Sequence, residues 1–165
     1  MPSDRDSTKT GASVSDYARD YYVDLVENAY FGSVTRGNVP AALDCFTADA
    51  QVIIYHGDAA PRRFAMDAKD GESHPQDFFD HLLANYVARF TNFRHFVDAP
   101  SECCAATFDV ELAPKPDSAY LGAGTRHLKN CNFFHCRDGK IYSMIIYYAD
   151  PGAAPGAPTG FPKAD

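Results

Sequence analysis

Apolar positions recur every three or four residues in the first half of the chain and every two residues after about residue 90. The first period predicts helices and the second predicts half-buried strands. Residues 15–36 carry Tyr22, Leu25, Val26, Ala29 and Tyr30 on one stripe, with Ser15-Asp16 available as an N-cap and Gly37 as a stop. Pro40 sits in the first turn of a second, short helix that runs to about Phe46. The third helix is expected over 75–90, with Phe78, Phe79, Leu82, Leu83, Tyr86 and Phe90 on one face and Asp77, His81, Asn85 and Arg89 on the other.

The β-branched and aromatic run at 50–56 predicts a strand that stops at Gly57-Asp58. A loop over 57–74 follows, with one short strand around 63–66. Strict alternation then takes over. In 92–98, Phe93, His95 and Val97 share a face; in 103–113, Phe108, Val110 and Leu112 oppose Thr107, Asp109 and Glu111. After a loop at 114–124, the runs 128–136 and 140–148 flank Arg137-Asp138-Gly139, and Asp-Gly between such runs is a strong hairpin signal. Helix, helix, strand, helix and then antiparallel strands is an α+β order. It predicts a curved sheet, mixed or antiparallel, wrapped around the long first helix, with two further helices and a pocket at the open end.

The chain has 165 residues, enough for one domain with a real core. Residues 1–14 are polar and read as a disordered leader, 15–151 as the domain, and the Pro/Gly/Ala-rich 152–165 as a tail. A net charge of −7 and the lack of any basic cluster beyond Arg62-Arg63 argue against nucleic acid. The Arg62-Arg63 pair could steer an anionic substrate or bridge a dimer. No apolar run has the length of a membrane span, and the polar N-terminus has no signal-peptide core, so a cytoplasmic location is expected. Five cysteines without C-x-x-C spacing read as buried reduced thiols rather than zinc ligands. His74, Asp77 and His81 have metal-ligand spacing but read as a solvated helix face, and no metal is expected.

Three stretches resemble the nuclear transport factor 2-like superfamily, the cone-shaped cystatin-like α+β fold of SnoaL-like polyketide cyclases. They are YFGSVTRGNVPAALDCF from Tyr30 to Phe46, TADAQV from Thr47 to Val52, and RDGKI at 137–141 with Tyr147-Tyr148 and Asp150-Pro151. Their order and spacing cover about residues 15–151. Such a fold hosts isomerases, dehydratases, cyclases and non-enzymes, so the chemistry must come from the site. The resemblance implies a cavity between long helix and sheet, no cofactor, and a small apolar or aromatic ligand.

By position, Tyr30 is similar to the oxyanion-hole tyrosine of ketosteroid isomerases, and His95 to the catalytic histidine of scytalone-type and bile-acid dehydratases. Asp109 could orient that imidazole, although its face is the polar one. Tyr55 and Asn130 align with pocket residues of scytalone dehydratase, and Phe133 and Tyr148 are aromatics expected to line the cavity. Asn130 and Cys131 cannot both face inward, and parity alone does not say which does. The chain departs from ketosteroid isomerases at both acids, with Ile54 and Cys131 in their places, and has Thr35 where bile-acid dehydratases carry an Asp. The expected function is a cofactor-free dehydratase, isomerase or cyclase with a Tyr/His pocket. The alternative is a non-catalytic ligand-binding or assembly module. Apolar residues on both faces of the last two strands predict a homodimer through the outer sheet face.

Overall fold

The structure, a computed structural model, describes residues 17–57 and 59–150. The expected leader and tail lie outside the described residues. The N-terminal helix, α1, has three segments: Arg19–Asp24, a π-helical Leu25–Phe31, and Gly32–Thr35. Its buried residues explain the widened turn's effect on packing. Leu25 and Tyr30 are five apart, as are Val26 and Phe31, and a π-turn stacks residues at that spacing on one face. All four are buried.

Helix α2, Val39–Leu43, is capped by the Asn38 side chain accepting from the Ala41 backbone N–H. Helix α3, Pro75–Asn85, opens with a capping box in which His74 Nδ1 accepts from Gln76 N–H and Asp77 accepts from His74 N–H. Two of the three side chains with metal-ligand spacing are thus occupied in ending a helix.

Six strands follow the chain: β1 (Phe46–Tyr55), β2 (Arg62–Ala65), β3 (Tyr86–Asp98), β4 (Cys103–Pro114), β5 (Arg126–Arg137) and β6 (Lys140–Ala149). They form one sheet in the order β2-β1-β6-β5-β4-β3, antiparallel except for the β1–β6 pair. The α+β architecture is as expected, with corrections at two boundaries. The second helix was expected to run to about Phe46 and the first strand to begin at 50, but the helix ends at Leu43 and Phe46 already opens β1. The third helix was expected to reach residue 90, but it ends at Asn85, and Tyr86 is already extended (φ −132°, ψ 152°). Tyr86, Ala88 and Phe90 satisfy a period of two as well as helical spacing, and pairing with β4 from Pro114 to Val110 decides for the strand.

A bulge in β3 between Thr91 and Arg94, with Asn92 at φ 58°, changes which residues face in. Before it Tyr86 and Ala88 are buried; after it the half-buried positions are Phe93, His95 and Val97. In β4 and β5 the inward positions are the even ones, including Phe108, Val110, Leu112, Leu128, Asn132, Phe134 and Cys136. The same parity places Asn130 inside and Cys131 outside, which resolves the pair left open by the sequence.

At the β5–β6 hairpin, Asp138 and Gly139 both have positive φ (53° and 75°), the geometry of a type I′ turn. The turn packs on the start of α1: Tyr21 donates to Gly139 O at 2.7 Å, and a Cβ on Gly139 would sit 2.6 Å from the Tyr17 ring.

Candidate functional site

Between α1, α3 and the inner sheet face lies a cavity of about 60 Å³. Its walls are mostly apolar. Phe31 and Val34 come from α1, Phe78, Phe79 and Leu82 from α3, and Ile54, Phe90, Val110, Leu112, Leu128 and Ile146 from the sheet. Five polar side chains share that lining: Tyr30, Arg62, Asn130, Asn132 and Tyr148. An apolar pocket with a few convergent polar groups is the usual form of a small-molecule site.

Each polar group reaches the cavity for a legible reason. The π-segment turns Tyr30 inward, where its ring packs edge-on against Phe46, Phe79 and Phe134. Burial, followed by the nearby Cys45, pushes the Tyr30 phenol well above its ordinary range, so it stays protonated and can only donate or accept a hydrogen bond. Asn130 and Asn132 follow the even parity of β5. Both amide oxygens are buried and accept no hydrogen bond from the described residues. Asn132 also directs its Nδ2 toward Met144 Sδ at 3.8 Å.

Tyr148, at the end of β6, stands in a charged cluster. His56 lies flat on its ring, with centroids 4.2 Å apart and planes within 2°. Arg126 Nε donates to Asp150 at 2.9 Å, both side chains being largely buried. Burial lowers the affinity of His56 for a proton, and Arg126 and Arg62 add to the effect against an opposing contribution from Asp150. Burial likewise raises the Tyr148 phenol, with Arg62 and Arg126 pulling it back, and it lowers the Arg62 guanidinium.

Of the candidates from sequence, the structure brings Tyr30, Asn130 and Tyr148 together. His95 faces inward but lies outside the cavity. Its Nε2 is 2.9 Å from Glu27 Oε2 on α1, and its ring stacks on Phe93 at 5.6 Å. Asp109 lies on the outer face, where it accepts from Asn92 Nδ2 at 2.9 Å and from Lys129 Nζ; these bonds hold its carboxyl below the ordinary range. Tyr55 is also outside, stacked on Tyr147 at 5.0 Å, and Phe133 is exposed beside the same tyrosine. Asn132 and His56 were not singled out by sequence. Parity with Leu128 and Phe134 was the available signal for Asn132; for His56 there was none beyond its place at a strand end.

No family model matches the sequence, and no curated protein matches it. Solved structures do. A protein described as a candidate polyketide cyclase from Xanthomonas campestris is similar at 19% identity and TM-score 0.62, over 79% of this chain and 92% of that one. A candidate isomerase from Bacillus subtilis gives 13% identity and TM-score 0.62, over 79% and 87%. A nuclear transport factor 2-like protein from Burkholderia xenovorans gives 15% and 0.57, over 84% and 93%. The chain therefore has the nuclear transport factor 2-like, cystatin-like fold. Among the described residues no helix is long and apolar enough to cross a membrane.

Proposed function

We propose that the protein binds a small, largely apolar molecule in this cavity and acts on it by proton transfer, as a dehydratase, isomerase or cyclase. The observation that carries the reading is the convergence of Tyr30, Arg62, Asn130, Asn132 and Tyr148 on an otherwise apolar space. Tyr30, held protonated, donates a hydrogen bond to an oxygen that gains charge in the transition state. Tyr148, which lines the cavity, supplies the proton-transfer side, with the His56 imidazole stacked on its ring outside the lining. His95 stands outside the cavity and ties the π-segment to β3 through Glu27, a structural bond rather than a part of the reaction. The cyclase and isomerase descriptions of the structural neighbours favour this class of reaction.

The test is turnover of a panel of small cyclic carbonyl and hydroxy compounds. Once a substrate is found, Tyr30→Phe is expected to lower kcat by about a hundredfold. An unchanged kcat removes Tyr30 from the chemistry.

One observation favours the second reading, a non-catalytic binding module: among the described residues, neither a carboxylate nor an imidazole lines the cavity. In that case Tyr30→Phe changes affinity and no turnover is found with any compound that binds.

Both readings accommodate a homodimer through the outer sheet face, where Phe96, Phe133, Tyr142 and Tyr147 are exposed. Light scattering on the wild type is expected to give twice the chain mass, and on Phe133→Glu the single mass. A monomeric wild type contradicts the dimer. Five unbridged cysteines fit a reducing, cytoplasmic setting.

A further inference from the structure

Asn130 and Asn132 project from the same face of β5, about 7 Å apart along the strand at two residues' spacing. Both amide oxygens are buried without a hydrogen bond from the described residues, and Asn132 is only 1% exposed. The orientation of Asn132 is set by its neighbour. Met144 Sδ, 3.8 Å from Nδ2, has lone pairs and no proton, so it accepts only from the amide NH₂ end. The oxygen is left for the cavity that Asn132 lines. A buried acceptor without a donor destabilises the fold, and native proteins keep few of them. Two on one strand face, in one cavity, call for a ligand that supplies donors.

We propose that the ligand presents two hydrogen-bond donors, hydroxyl or N–H, along one edge of an otherwise apolar ring, and that Asn130 and Asn132 read that edge. The inference rests on the cavity being the ligand site, as argued above. It adds the chemical class of the ligand and assigns the recognition to two named amides. Leu128, Ile146 and Phe79 offer no polar atom to a ligand, so the part of the ring that meets them is apolar, while Tyr30, Arg62 and Tyr148 share the remaining lining. At about 60 Å³ the cavity is smaller than the roughly 150 Å³ apolar void that takes a benzene ring. A ring of that size therefore requires the cavity walls to open beyond their positions in this structure.

The test compares two rings of similar size, 1,3-dihydroxybenzene and 1,3-difluorobenzene, by calorimetric titration of the wild type, Asn130→Leu and Asn132→Leu. The diol should bind the wild type more tightly although it is the less apolar of the two. Each substitution should weaken the diol by about tenfold, the size of one neutral hydrogen bond, and leave the difluoride unchanged or slightly tighter. The same variants should melt no lower than wild type, because each replaces an unsatisfied amide with an isosteric apolar group. Equal affinity for the two rings overturns the proposal while leaving the cavity reading intact. Binding of neither ring overturns both. Melting temperatures that fall in the variants, with parallel losses for both rings, make the asparagines structural and also overturn it. Either variant alone carries the comparison should the other fail to fold.

Discussion

His95 Nε2 and Glu27 Oε2 meet at 2.9 Å across the seam between α1 and β3, with the histidine side chain 8% exposed and the glutamate 42%. The bond ties the π-helical segment, which carries Tyr30, to the strand beyond the bulge. A seam bond of this kind supports the fold and needs no substrate.

His95→Ala should therefore lower stability by about 1–2 kcal/mol, a charge-assisted bond discounted for the solvent access of Glu27. Thermal or urea unfolding reads this directly. Turnover, where found, should stay within about twofold once the variant is folded. A large loss of kcat with unaltered stability would return His95 to the reacting atoms.

The hairpin turn offers a second check. Gly139 has φ 75° and Tyr17 stands where its Cβ would be. Gly139→Ala should cost about 1–3 kcal/mol through backbone strain and displacement of Tyr17. The loss should appear in denaturant unfolding with the m-value unchanged. Equal midpoints for variant and wild type would show that the turn relaxes without cost.

His56 sets a pH dependence. Its folded-state proton affinity lies below the ordinary 6.5 through burial, Arg126 and Arg62, partly offset by Asp150, while Tyr148 covers its ring face. The unfolded chain thus takes up the proton first as pH falls. The stability from burying neutral His56 is fully present above about pH 6.5 and is lost as pH drops from there toward the lower folded value. His56→Phe, which keeps the stack, should flatten the fall in melting temperature below about pH 6.5 relative to wild type. An identical slope in the two proteins would show that the titrating group is elsewhere.

Much of the fold was legible because it is written in period: the alternation of 103–113, the Asp-Gly turn, and the heavy apolar runs around it. Residues 86–90 misled because Tyr86 and Phe90 fit both periods, and only pairing with β4 separates them. The site was legible only in part. Tyr30, Asn130 and Tyr148 follow from stripe and parity, but Tyr55 and Phe133 are aromatics on the outer face, which composition does not distinguish from the inner. His95 does face inward. What no local pattern shows is that Glu27, 68 positions earlier, is waiting for it.

The central claim, that the cavity is the ligand site, is tested most directly by methyl NMR during titration with 1,3-dihydroxybenzene and its relatives. Saturable shifts should appear at Val34, Ile54, Val110, Leu112, Leu128 and Ile146, which line the cavity, and not at Ile53 or Ile145, which alternate onto the outer face. Saturable shifts confined to Ile53 and Ile145, or none at any methyl, would contradict it.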